Sequence, residues 1–308
     1  MKTRAARRRP PPLQTMNKPK PEVSIIGTGR LGSALAIALA EEGYTIGALI
    51  GRRRESARRA AGFLDVPTRV LALKQLAEQP RPDLLLIATP DDQIPEVAAA
   101  LAKLDWETNG HKSAVLHTSG ALSSSVLSAL GKKDWNVGSL HPLVSVSEPR
   151  TGARLLRGAF WCVEGDKRAV SLGRAIVRDL EGKSFSIDSS KKPLYHAAAV
   201  MVSGNVTALF DVALEMLRQC GLTRAEARRA LLPLLGSAVD NLGKLDPAQA
   251  LTGTFARGDV ETVKRHLASL KGNEAILQLY RLLGLWSLNL AAPKLDAKLV
   301  KQIKRLIG

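Results

Sequence analysis

The chain holds 308 residues, 45% of them hydrophobic and 24% charged, with a formal net charge of +17. That length suits two domains, since a single hydrophobic core stops growing at roughly 250–300 residues, and no uninterrupted apolar run approaches the ~20 residues of a membrane span, so a soluble protein is expected. Its two cysteines, Cys162 and Cys220, lack a Cys-x-x-Cys spacing, which argues against a disulfide framework or a structural zinc site and fits a reducing, cytoplasmic compartment.

The first 21 residues read as a disordered basic tail. They carry Lys2, Arg4, Arg7, Arg8, Arg9, Lys18 and Lys20 together with Pro10, Pro11, Pro12, Pro19 and Pro21, with almost nothing to bury. A signal peptide is not expected, because its apolar stretch is missing, and Met16 is a second possible start. A solvated tail is the plain reading of this charge; contact with nucleic acid is the rival and is not favoured.

Folded structure is expected from residue 22, as a Rossmann domain reaching to residue 190. Val23-Ser24-Ile25-Ile26 reads as a strand, Gly27-Thr28-Gly29-Arg30-Leu31-Gly32 as a glycine turn, and the alanine- and leucine-rich stretch from Ser33 to Glu42 as a helix. In that order the glycines have distinct tasks: a tight turn at Gly27, close approach of a pyrophosphate at Gly29, and close packing of helix on strand at Gly32. The pyrophosphate would sit on the unpaired amides of the helix N-terminus.

A second strand, Tyr44 to Ile50, ends at Gly51-Arg52-Arg53-Arg54-Glu55-Ser56. NAD-specific folds place an acidic residue about 20 positions past the glycine turn, where Arg52 stands here. Arg52 and Arg53, with the Ser56 hydroxyl, can pair with a 2′-phosphate that a carboxylate would repel, so the expected cofactor is NADP(H). The bland alternative is that three arginines merely open a solvated helix over 52–62.

Further strands are expected at Asp83 to Thr89, Ser113 to His117 and Trp135 to Leu140, alternating with helices as in a parallel, doubly wound sheet. Ligands bind beyond the carboxyl ends of such strands, which here deliver Thr89-Pro90-Asp91-Asp92, His117-Thr118-Ser119-Gly120 and His141-Pro142. Thr89 and Pro90 are assigned to the cofactor, and Ser119 and His141 to the reacting centre. His117, next to the apolar strand, reads as structural. Trp161 to Glu164 and Phe185 to Ile187 would close the sheet.

From residue 191 to 308 an all-helical domain is expected, with helices over Leu194 to Cys220, Arg224 to Leu242, Val260 to Leu270, Ala275 to Leu288 and Ala297 to Leu306. Gly221 ends the first, Thr223 caps the second, and Asp259 caps the third. Seven residues at 100° each return nearly to the starting angle, so His196 and Ser203 share a face while Asn205 lies opposite. Arg257, in the glycine-punctuated loop 251–259, can clamp a substrate carboxylate or pair with Asp259. Leucine stripes that include Leu231, Leu234, Leu282 and Leu285 suggest a surface shared with a second copy, hence a homodimer.

These motifs together resemble the Rossmann-like plus domain-of-unknown-function 2520 family, described as NADP oxidoreductases. The resemblance runs from Glu22 to the end and rests on Ala88-Thr89-Pro90-Asp91-Asp92, His117-Thr118-Ser119-Gly120, Ser139-Leu140-His141-Pro142-Leu143, Tyr195-His196-Ala197-Ala198, Ala250-Leu251-Thr252-Gly253, Ala256-Arg257-Gly258-Asp259 and His266. Two positions depart from it: Thr254, where the family often has proline, and Gly204, where asparagine often follows the serine. The resemblance implies a relation in fold to pyrroline-5-carboxylate reductase, ketopantoate reductase and 3-hydroxyacid dehydrogenases. Some members look like alternative ketopantoate reductases, although the lysine that ordinary ketopantoate reductases use as acid has no clear equivalent between Tyr195 and Asn205.

The expected activity is NADPH-dependent reduction of a small carbonyl or imine acid. His196 or His141 would donate the proton, Ser119 and Ser203 would orient the acceptor, and Arg257 would hold the carboxylate. A non-catalytic NADP-binding regulatory module is the alternative.

Overall fold

The computed structural model describes residues 19–106 and 113–308, apart from the side chains of residues 77 and 78. The expectations for residues 1–18, including the start at Met16, lie outside them. The tail's last stretch is described: Lys20 lies 3.1 Å from the Asp179 carboxylate and over the Tyr44 ring, and so is tied to the folded chain.

The chain divides into two compact units, the first ending at Ser203 and the second spanning Gly204–Gly308. The first is built on a sheet whose strands are β1 (Val23–Ile26), β2 (Ile46–Gly51), β3 (Arg69–Ala72), β4 (Leu84–Ile87), β5 (Ala114–His117), β6 (Asn136–Pro142), β7 (Phe160–Gly165) and β8 (Lys183–Phe185). Its order is β3-β2-β1-β4-β5-β6-β7-β8. All neighbours are parallel except β6 and β7, which run antiparallel, so the sheet is mostly rather than wholly parallel.

Its helices are α1 (Arg30–Glu41), α2 (Arg54–Ala61), α3 (Ile94–Leu101), α4 (Ser128–Gly131), α5 (Pro149–Leu156), α6 (Lys167–Asp179) and α7 (Lys192–Val202). Both sheet faces are covered. Ile25, Leu84, Leu86 and Leu116 pack with Leu35 and Leu39 of α1 and Ile176 of α6, whereas Ile26, Leu85, Ile87 and Val115 pack with Ile94 and Val97 of α3 and with Trp135. Double burial explains why the central strands read as unbroken apolar runs rather than as alternations.

The second unit is helical: α8 (Gly204–Gln219), α9 (Arg224–Leu242), α10 (Pro247–Ala250), α11 (Thr254–Arg257), α12 (Val260–Ser269), α13 (Glu274–Ala291) and α14 (Ala297–Ile307). Thr223 and Glu226 form a reciprocal capping box at α9, and Asp259 caps α12 through the Thr262 amide. The compact core of this unit is small, with Val260, Val263, Leu288, Ile303 and Ile307 fully inside. On α8 and α9 only Leu214 and Ala227 are buried.

The helix expected over Leu194 to Cys220 breaks in two. Ser203 leaves helical geometry (φ −119°, ψ −84°), so angular spacing cannot be carried from His196 past α7. The unit boundary therefore falls at Ser203, later than the composition change near residue 191 suggests. Two stretches, Ser189–Gln219 and Glu274–Lys294, are long and apolar enough to cross a bilayer by length and composition alone, which a search for uninterrupted apolar runs overlooks.

Candidate functional site

The strand order reverses between β1 and β4, and a cleft of about 640 Å³ opens beyond their carboxyl ends. At Gly27 φ is +96°, and a Cβ there would lie 2.5 Å from the Ala88 carbonyl carbon, so both conformation and space demand glycine. Gly29 is the N-cap of α1 and offers no side-chain cap, which leaves the first amides of that helix for a ligand.

The cleft gathers Gly27, Thr28 and Gly29 with Arg52, Ser56, Thr89 and Pro90. Arg30, Leu31 and Gly32 instead begin α1 and do not line it. Arg53 is also absent from the lining; it is the N-cap of α2, and its carbonyl accepts the Ser56 hydroxyl at 2.8 Å. In its place the structure brings Arg59, one helical turn beyond Ser56. That i, i+3 spacing was the available signal. The Thr89 hydroxyl oxygen is buried without a partner. Bare backbone for a pyrophosphate, two guanidinium groups and an orphaned hydroxyl form a donor set that fits a phosphorylated dinucleotide.

Further along the same sheet edge, the ends of β5 and β6 meet α7. A proline early in α7 and the Asp188 side chain, which accepts the Ser190 amide in the turn before it, fix where this helix begins. One helical turn then puts Lys192, Tyr195 and His196 together over the strand ends.

His141 Nδ1 lies 2.7 Å from Tyr195 Oη, and the His141 ring meets that of His196 edge to face at 5.5 Å. Between the two imidazoles lies Gly120: a Cβ built there would come within 2.7 Å of His141 Nε2 and closer still to His196 Nδ1, which is buried without a partner. Burial, then the neighbouring His196 and Lys192, push His141 down to about 4. Burial raises the Tyr195 phenol, so the His141–Tyr195 bond joins two uncharged groups at neutral pH.

His117 is fully buried and accepts the Ser119 amide at Nδ1; burial and the Lys192 charge push it down to about 3. The structural reading of His117 agrees with this geometry.

Ser119 has no hydroxyl valence left for a substrate. Its Oγ donates to Asp91 (2.8 Å) and accepts the Ala121 and Leu122 amides (3.1 and 3.0 Å). The orienting role expected of it is corrected accordingly: it shapes the turn that carries Gly120. Ser203 does not join the cluster as expected either; its hydroxyl returns to the Ala199 carbonyl at 2.7 Å. Arg257 is exposed at the end of α11 in the helical unit. His266, which the resemblance quotes, bonds Tyr280 at 2.8 Å within that unit.

Lys192 and Glu164 escaped the sequence reading. Lys192 is 0% exposed and donates to the Ser119 carbonyl at 3.0 Å and to the Ser139 hydroxyl, with Glu164 at 3.8 Å. Glu164 accepts the amide and the hydroxyl of Ser124, each at 2.7 Å.

Two family models match the chain: a Rossmann-like domain over residues 8–142, and the domain of unknown function DUF2520 over residues 159–286. No curated protein sequence matches it. Among solved structures, a "putative NADP oxidoreductase" of Bacteroides fragilis superposes with a TM-score of 0.71 at 22% identity, covering 88% of this chain and 98% of that one. A Thermotoga maritima protein gives 0.67 at 26% identity, covering 88% and 99%. A pyrroline-5-carboxylate reductase of Coxiella burnetii gives 0.57 at 18% identity, covering 93% and 98%.

Proposed function

We propose that this chain, which belongs to the proteins pairing a Rossmann-like domain with DUF2520, is an NADPH-dependent reductase of a small carbonyl or imine acid. The observation that carries the reading is the placement of His141 and His196 around Gly120, on the same sheet edge as the glycine-turn cleft. NADPH, when bound, supplies the hydride. The chain must then hold the acceptor and deliver a proton to the oxygen or nitrogen it becomes.

His196 suits that delivery. An imidazole can both hold and release a proton, and the buried His196 Nδ1, without a hydrogen-bond partner, lies against Gly120. His141, uncharged and tied to Tyr195, suits orientation of the acceptor instead. Arg52 and Arg59 are the groups for the 2′-phosphate. Arg257 is our candidate for a substrate carboxylate, and a ketopantoate-like acid is the leading named class. Two copies would associate through the helical unit, whose apolar side chains are widely exposed.

The deciding experiment is steady-state NADPH oxidation with a panel of 2-oxo acids and cyclic imines. Turnover on one of them supports the reductase. Tight NADPH binding without turnover on any of them favours a regulatory NADP-binding module.

A further inference from the structure

Among the described residues, Lys192 is the one lysine with no exposure at all, although Lys191, Pro193 and Leu194 beside it are exposed. Burying a lysine with a carboxylate generally stabilises a fold less than apolar side chains of the same volume would. Its burial therefore calls for another account, and the contacts supply one.

The ammonium reaches three strands at once. It bonds the Ser119 carbonyl just past β5 and the Ser139 hydroxyl on β6, and it faces Glu164 on β7. Fully buried, with two hydrogen bonds made and the Glu164 carboxylate 3.8 Å away, it is placed to act through its neighbours rather than on a substrate. The Ser119 residue is thereby gripped on both sides, its carbonyl by Lys192 and its amide by His117. Ser139 stands two residues before His141, on the same side of β6. Lys192 itself begins the turn of α7 that carries Tyr195 and His196.

The charge matters as much as the bonds. Tyr195, His196 and Lys192 face His141 from α7, and Cys162 is its register partner on β7. Burial lowers the Lys192 ammonium from its ordinary value, and Glu164 and Cys162 of β7 and Asp91 beyond β4 oppose that shift by favouring its charged form. A positive charge on Lys192 disfavours a second one on His117 or His141.

We propose that Lys192 is the positioning residue of this site: it clamps the Ser119–Gly120 turn to β6 and β7 and holds its ammonium beside His117 and His141. The effect of this clamp on turnover rests on the reductase reading; the clamp and the charge do not.

The test uses the full chain with ring-labelled histidine, followed by NMR titration. Lys192→Met/Glu164→Gln removes the charge pair together, so no buried carboxylate is left alone. In this variant His117 and His141 should titrate about one unit higher than in the wild type. NADPH affinity should stay within about twofold while kcat falls tenfold or more, because the cleft is made of other residues. Unmoved histidines in a folded variant overturn the proposal. If the variant does not fold, the wild type still decides: the Lys192 Nζ must be protonated at pH 7, and a neutral amine there overturns the proposal equally. Shifted histidines without turnover on any substrate would sink the reductase reading while leaving the role of Lys192 intact.

Discussion

The Cα of Gly120 faces His141 so closely that a methyl group on it would meet Nε2 at 2.7 Å. Gly120→Ala must therefore push aside one or both imidazoles. Misplacing a reacting group by about 1 Å can cost ~10²-fold in rate, so kcat should fall by about that factor with NADPH affinity unchanged. Cofactor titration beside steady-state kinetics checks this. Normal turnover in the alanine variant would mean that the histidines are not arranged around the reacting atoms.

His196→Ala tests the assignment of the acid directly. A proton donor acts mainly in the transition state, so kcat should drop by roughly 10²–10⁴ while NADPH binding holds. Should the variant keep wild-type turnover on a substrate found in the panel, the acid lies elsewhere.

The parts of this site that follow local chemistry could be read from the sequence, and the parts made by tertiary packing could not. Gly27 and Gly32 announced a turn because glycine at each has a local steric cause, and Arg52 followed from its distance along the chain. Lys192 did not announce itself, since a lysine in sequence is presumed solvated and only the meeting of β5, β6 and β7 buries it. The short edge strand β3 went unread for a similar reason: Arg69, Val70 and Ala72 lack the full burial that makes β1 and β4 conspicuous. The direction of β7 was equally silent, because a strand pattern is the same read either way. Ser203 misled because the spacing argument assumed a regular helix through the point where α7 ends.

Stability should fall steeply on mild acidification. The buried His117, held down to about 3, stays neutral in the folded chain after the unfolded chain has begun to bind a proton near 6.5. Above pH 6.5 this histidine contributes nothing to the pH dependence; as the pH falls from about 6.5 towards 3, stability is lost at up to ~1.4 kcal/mol per pH unit. His141, held down to about 4, adds to the loss over the upper part of that window. Urea unfolding at pH 7, 5 and 4 measures the slope. His117→Gln keeps an acceptor for the Ser119 amide and should flatten it; an unchanged slope would assign the acid sensitivity to other groups.

Assembly is the fourth expectation. Leu232, Leu234, Val239, Leu242, Leu282 and Trp286 are exposed in the helical unit, Trp286 at 71%, which is far more apolar surface than isolated surface leucines require. Light scattering at micromolar concentration should report a dimer, and Leu234→Glu or Trp286→Glu should shift it towards monomer. A strictly monomeric wild type contradicts the shared surface.

Cofactor choice gives the sharpest test, because the structure separates arginines that stand side by side in sequence. Arg52 and Arg59 line the cleft beside Ser56, whereas Arg53 contributes a backbone carbonyl that any residue would supply. Charge-assisted contacts are worth roughly 1.5–3 kcal/mol each, so Arg52→Ala and Arg59→Ala should each lower NADPH affinity about tenfold or more, and Arg53→Ala should do little. NADH lacks the 2′-phosphate, so its affinity should hold or improve slightly in all three variants, and the preference between the cofactors should collapse in the first two. Nicotinamide fluorescence titrations of the wild type and each variant with both cofactors distinguish recognition of the phosphate from damage to the turn after β2, which would weaken both cofactors alike. A wild type that prefers NADH would reverse the assignment and leave Arg52, Arg53 and Arg59 as ordinary solvated residues on and before α2.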